Sequence, residues 1–194
     1  TNGQRQNTDG RYVTEVLTDS AIDFIHRHKN EPFFLYVPYN APHSPLQAPE
    51  ETVQPYLDMG LSKSVAIIYA MIEEMDKGIN RILEKLEQEG LTNNTIVMMS
   101  SDNGPAFGSR PDQVEPGTPL KCDRYNCGFN GSKGSVYEGG IRVPMIVRWP
   151  DGLESGREIK DLVHFTDWLP TLLNICNIDH PGERPLDGHN VLPI

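Results

Sequence analysis

Between Val65 and Leu86, seven apolar residues step by three or four without a miss: Val65, Ile68, Ile72, Met75, Ile79, Ile82 and Leu86. That spacing puts them on one face of a helix of about six turns, with Gly90 as its stop. Three heptads are too few for a coiled coil, so the stripe has to bury itself on a sheet or another helix. The flanking sequence offers both. A first helix is expected over residues 13–29, on Val13, Val16, Leu17, Ala21, Phe24 and Ile25, with Pro32 beyond its end. Short apolar runs at 33–37, 95–101, 143–148 and 158–163 read as strands. A last helix starts at Thr166-Asp167, with Leu169, Leu172, Leu173 and Cys176 as its apolar face. Helices alternating with short strands favour an α/β fold with a largely parallel sheet flanked by helices.

At 194 residues and 37% hydrophobic content the chain is large enough for one domain with a buried core. No apolar run reaches the roughly 20 residues that span a bilayer, and the polar start Thr1-Asn2-Gly3-Gln4-Arg5 is no signal peptide. Opening on Thr1 without a methionine, the chain is expected to begin inside a longer protein. Seventeen Lys and Arg against 27 Asp and Glu give a charge of −10, which argues against nucleic acid and anionic membranes as partners. An anionic small substrate stays open, because screening over about 8–10 Å makes the local field decisive. Cys122 and Cys127 are either bridged or two free thiols, and Cys176 is expected in the core. Asn93-Asn94-Thr95 and Asn130-Gly131-Ser132 match the glycosylation pattern.

The chemistry concentrates at strand ends and in a long irregular stretch over 103–142. Strand 95–101 runs out into Ser101-Asp102-Asn103-Gly104. Open α/β sheets place ligands at such strand ends, and two oxygen-bearing side chains suit Ca²⁺ or Mg²⁺ rather than zinc. The same tripeptide is also good turn chemistry. Strand 33–37 empties into Pro38-Tyr39-Asn40-Ala41-Pro42-His43-Ser44-Pro45, where proline-fixed backbone can hold the His43 imidazole for proton donation or oxyanion contact. Gly131-Ser132-Lys133-Gly134 offers Lys133 to an anion without phosphate-loop spacing. Glu138, Gly139, Gly140 and Arg142 shape a turn in which the glycines permit unusual backbone angles, and Arg142 can pair with a carboxylate or a ligand.

In order and spacing, these segments resemble the sulfatase family, the formylglycine-dependent arylsulfatase-like hydrolases of the alkaline phosphatase superfamily. The carrying residues are Ala41-Pro42-His43-Ser44-Pro45, Ser101-Asp102-Asn103-Gly104, Gly131-Ser132-Lys133-Gly134, Glu138-Gly139-Gly140-Ile141-Arg142-Val143-Pro144 and Phe165-Thr166-Asp167-Trp168-Leu169-Pro170-Thr171. The resemblance implies that residues 1–194 are the C-terminal portion of a sulfatase catalytic domain with an alkaline-phosphatase-like fold. It implies that Asp102 and Asn103 ligate Ca²⁺ (Mg²⁺ being the alternative metal). Lys133 and His43 would contact the sulfate, His43 as proton donor to the leaving alcohol. The implied substrate is a sulfated small molecule or carbohydrate, in a periplasmic, secreted or lysosomal setting.

Formylglycine arises from a Cys/Ser-x-Pro-x-Arg segment. This sequence has none, and neither Cys122, Cys127 nor Cys176 is followed by the needed Pro and Arg. A Ca²⁺ site takes about 6–8 oxygens, of which Asp102 and Asn103 supply a minority. The chain alone is therefore expected to bind Ca²⁺ poorly and not to turn over. Two other readings stand beside this one: a phosphatase or phosphodiesterase of the same superfamily, which Asn103 disfavours, and a non-catalytic oxyanion-binding remnant.

Overall fold

The structure is a computed structural model that describes Thr8 and residues 10–180 and 182–192. It forms two compact units, one ending at Leu153 and one beginning at Glu154. The first unit is organised around the long amphipathic helix. In chain order its elements are α1 (Val13–His28), α2 (Glu50–Asp58), α3 (Lys63–Gln88), β1 (Val97–Ser100), α4 (Glu138–Ile141) and β2 (Met145–Arg148). A 3-10 turn at Pro111–Gln113 interrupts the irregular stretch.

Helix α3 forms where its periodicity predicts, and Gly90 beyond its end takes a φ of 69°. Of its apolar stripe only Val65, Ile68 and Leu86 are buried, while Met75, Ile79 and Ile82 are half-buried and Ile72 is exposed, so the expected full burial does not hold among the described residues. Its first half is buried on more than one side: Val65, Ala66, Ile67, Ile68, Ala70 and Met71 are all in the core. Both α1 and α2 pack on it. Helix α2 has no periodic signal in the sequence because Pro55 lies inside it. It is nonetheless started by Pro49 and the acidic first turn Glu50-Glu51.

Helix α1 begins and ends as expected, but it buries Thr14, Thr18, Ala21 and Ile25 while Val13 is exposed. The reason lies at Gly78 of α3. A Cβ there would meet Thr18 Oγ1 at 2.5 Å, so glycine lets the two helices touch. Thr18 Oγ1 also hydrogen-bonds Thr14 O at 2.8 Å and Tyr39 OH at 2.7 Å, which satisfies the buried hydroxyl. At the far end of the same pair, Glu89 accepts from Lys29 (2.7 Å), Lys85 (2.5 Å) and His26 (2.8 Å). The Lys29 ammonium, then Lys85 and His26, hold its carboxyl well below the usual carboxylate range.

The sheet differs most from the sequence expectation. The paired strands among the described residues are β1 and β2, and they run antiparallel, with Ser100 opposite Met145 and Val97 opposite Arg148. A largely parallel sheet is therefore not what these residues form. Residues 158–163 are not a strand, and β1 is half-buried rather than buried. Residues 33–37 form no strand and are unpaired among the described residues, with exposure alternating along them and Phe34 79% and Tyr36 76% exposed. Apolar content gave these runs their strand character, but pairing needs a neighbour, which sequence period does not specify.

In the second unit, α5 (Trp168–Ile175) follows a 3-10 turn at Phe165–Asp167. Asp167 is 4% exposed and accepts from the backbone N–H groups of His164 (2.8 Å) and His189 (3.1 Å). Those two donors, the His164 amide first, hold its carboxyl below the ordinary range. Leu169 is exposed, and Cys176 lies outside the core because α5 ends at Ile175. Cys122 and Cys127 are free thiols, the first buried and the second exposed.

Candidate functional site

The antiparallel register positions the loop that carries Asp102 and Asn103. Since Ser100 pairs with Met145, the Asp102–Asn103 loop leaves β1 beside the segment that enters β2. Gly104 N donates to Gly140 O at 2.9 Å, and Ser100 Oγ donates to Pro144 O at 2.9 Å. This seam tolerates no side chains. A Cβ on Gly104 would sit 1.9 Å from Gly139 O, one on Gly139 2.3 Å from Gly131 O, and one on Gly140 2.2 Å from Ser135 O. Gly139 and Gly140 are thus needed for close approach inside α4. The left-handed backbone angles fall at Gly131 and Gly134, on either side of Lys133.

Three strips of backbone therefore meet: the Asp102–Gly104 loop, the Lys133 loop and α4. Lys133 N donates to Pro105 O at 2.9 Å, and Gly139 N to Asn130 O at 2.8 Å. Within the Lys133 loop, Ser135 Oγ accepts from Ser132 N and donates to Ser132 O. Lys133 is exposed. Arg142 resolves toward a carboxylate: it pairs with Glu138 at 3.4 Å and lies over the Phe129 ring at 4.9 Å.

His43 comes from a different part of the unit. Ala41 and Leu46 are both core residues, so the exposed imidazole sits on a loop anchored at each end. The Ala41-Pro42 and Ser44-Pro45 peptide bonds are cis. His43 Nδ1 lies 2.7 Å from Ser44 O. A carbonyl only accepts, so Nδ1 carries a proton and Nε2 is the nitrogen left for chemistry.

His43 and Lys133, far apart in sequence, line one open cleft together with Ser109, Arg110 and Gln113. The last three carry no motif. Their placement depends on a long-range pairing of Gly108 with Lys121 and on Leu46 N donating to Gln113 O at 2.9 Å. Asp102 and Asn103 are not among the lining residues of this cleft.

The donor chemistry of Asp102 and Asn103 fits part of a Ca²⁺ site. Asp102 is exposed, with no ion-pair partner among the described residues. Asn103 Nδ2 donates to Gly104 O at 2.9 Å, which commits the amide nitrogen and leaves Oδ1 free to accept. Both are hard oxygen donors. Among the described residues no three His, Cys, Asp or Glu side chains gather as a metal cluster, so no complete cation site is present there.

The Sulfatase family model matches residues 1–178. An uncharacterized sulfatase of Escherichia coli (strain K12) is 35% identical over 94% of this chain and 30% of its own length. Human N-acetylgalactosamine-6-sulfatase is 33% identical over 93% of the chain and 32% of its own length. The solved structure of Ps i-CgsB in complex with k-i-k-neocarrahexaose superposes with a TM-score of 0.83 at 30% identity, over 98% of this chain and 40% of that one. The chain spans less than a third of the length of the curated relatives described. With a family model covering most of its residues and a fold shared with part of a solved relative, this chain belongs to the sulfatase family.

Proposed function

We propose that this chain is the sulfate-holding part of a sulfuric ester hydrolase, supplying His43 and Lys133 to the transferred group and Asp102 and Asn103 to Ca²⁺. The observation that carries the reading is that His43 and Lys133 share one cleft although ninety positions of sequence divide them. In such a site the Lys133 ammonium offsets negative charge on the sulfate oxygens as the S–O ester bond lengthens. His43, held through Nδ1, donates from Nε2 in its protonated form to the leaving oxygen, so the alcohol departs neutral. Ca²⁺ held by Asp102 and Asn103 would supply Lewis-acid stabilisation of negative charge on a sulfate oxygen. The names of relatives point both to a sulfated carbohydrate, as for N-acetylgalactosamine-6-sulfatase, and to a sulfated small molecule, as for steryl-sulfatase; the neocarrahexaose complex of the structural neighbour supports the carbohydrate for this chain.

Two ligand residues are too few for tight Ca²⁺ binding, and no formylglycine precursor motif lies in the sequence. The 194-residue chain is therefore proposed to bind Ca²⁺ weakly and to be inactive alone. Calorimetry with Ca²⁺ and sulfate tests the first point, with weak binding expected to vanish in Asp102→Ala. Tight binding of both ions by the chain alone would favour an oxyanion-binding module instead. In an enzyme that joins this chain to its nucleophile segment, Lys133→Ala is expected to lower kcat about 10²–10³-fold. Sulfate-ester turnover by the purified chain, abolished by that substitution, would overturn the inactive-part reading.

A further inference from the structure

The geometry points to Arg110 as the recognition residue for a second anionic group on the substrate, so that the preferred ester is a sulfated saccharide bearing another sulfate or a carboxylate. The inference rests on the sulfatase reading above and extends it to substrate class. Arg110 lines the same cleft as His43 and Lys133, and its side chain is exposed there.

The other cations of this loop region are already engaged. Lys121 pairs with Asp123, Lys63 reaches across to Glu115, and Arg124 donates to the carbonyls of Ala106 and Cys122. Arg110 and Lys133 have no carboxylate within ion-pair distance among the described residues. In a chain with ten more acidic than basic side chains, two unneutralised cations on one cleft mark a place built for anions.

The backbone fixes Arg110 in place. Ser109 N donates to Leu120 O at 2.8 Å, immediately before it, and Gln113 N closes the following 3-10 turn onto Arg110 O at 3.0 Å. Gln113 O in turn holds Leu46 N, which ties this turn to the His43 loop. On the other side, Pro105 O holds Lys133 N. The guanidinium thus projects from a wall joined by hydrogen bonds to both sulfate-contacting segments. A planar guanidinium matches a carboxylate or sulfate through paired N–H donors, whereas it gains little from a neutral hydroxyl.

The test uses the full-length enzyme carrying this chain and three esters of one saccharide: a monosulfate, a disulfate, and a monosulfate with a neighbouring carboxylate. The readout is the ratio of kcat/KM for each di-anionic ester over the monosulfate. That ratio is expected to fall about ten-fold in Arg110→Gln, through KM rather than kcat, and to be largely kept in Arg110→Lys. Which di-anionic ester shows the larger fall identifies the second group as sulfate or carboxylate. Ratios unchanged in Arg110→Gln would overturn the assignment while leaving the sulfatase reading intact. Failure of the unaltered enzyme to hydrolyse any of the three esters would overturn both.

Discussion

Replacing Gly104 by alanine tests the glycine seam that holds the proposed site together. The new Cβ would lie 1.9 Å from Gly139 O and 2.8 Å from the carbonyl carbon of Gly139, both backbone atoms that no rotamer change can move. Ordinary contact begins at 3.4 Å, so the two strips must separate and the Gly104 N to Gly140 O bond at 2.9 Å must break. A buried donor left unpaired costs about 1–3 kcal/mol and overpacking a similar about 1–3 kcal/mol, so the substitution should cost about 4 kcal/mol. With an m-value near 2 kcal/mol per M, the urea midpoint falls by about 2 M. Gly60→Ala is the matched control. Gly60 has a φ of 83° but nothing within 4 Å of a new Cβ, so only the left-handed strain of about 1–2 kcal/mol applies. Each unit contains one tryptophan, Trp149 in the first and Trp168 in the second. A Trp168→Phe background lets fluorescence report the first unit alone. If Gly104→Ala unfolds at the same urea concentration as Gly60→Ala, the clash argument for the seam is wrong.

Two further outcomes follow from the packing. Met71 is 1% exposed within the α2–α3 core, so Met71→Ala should cost about 2–5 kcal/mol by the same fluorescence assay, and a loss under about 1 kcal/mol would mean the core collapses around it. The Glu89 carboxyl is held below its unfolded value of 4.5, chiefly by Lys29, so its contribution is present above pH 4.5 and is lost as pH falls further. The melting-temperature gap between the parent chain and Glu89→Gln should accordingly be widest near neutral pH and close below 4.5; a gap that is constant with pH would contradict this.

The helices were legible in extent where apolar spacing is regular, as along α3, although its apolar stripe is buried only in part. Helix α1 was legible in extent but not in orientation, because the contact with Gly78 selects threonines that a hydrophobicity pattern passes over. Helix α2 was hidden by Pro55. Strand partners were not legible at all, since β1 and β2 are separated by the irregular stretch and their antiparallel register is a tertiary fact. The site divides the same way. His43, Asp102, Asn103 and Lys133 announced themselves through loop chemistry and motif order, and His43 and Lys133 do share a cleft. Arg110 and Gln113 gave no signal, because they reach the cleft through backbone bonds to Leu46 and Leu120 that span the chain. At Gly139 and Gly140 the sequence suggests unusual backbone angles, whereas their value lies in the missing Cβ at a backbone crossing.

The unpaired run at residues 33–37 has a practical consequence for anyone handling this polypeptide. Phe34 and Tyr36 turn the same way along it, 79% and 76% exposed, and no described strand caps its hydrogen-bonding edge. An uncovered, aromatic, β-prone edge is a template for pairing with another copy of itself. In isolation the chain would tend to oligomerise through this segment as its concentration rises. A lysine in place of Phe34 would be the economical way to keep it monomeric in solution.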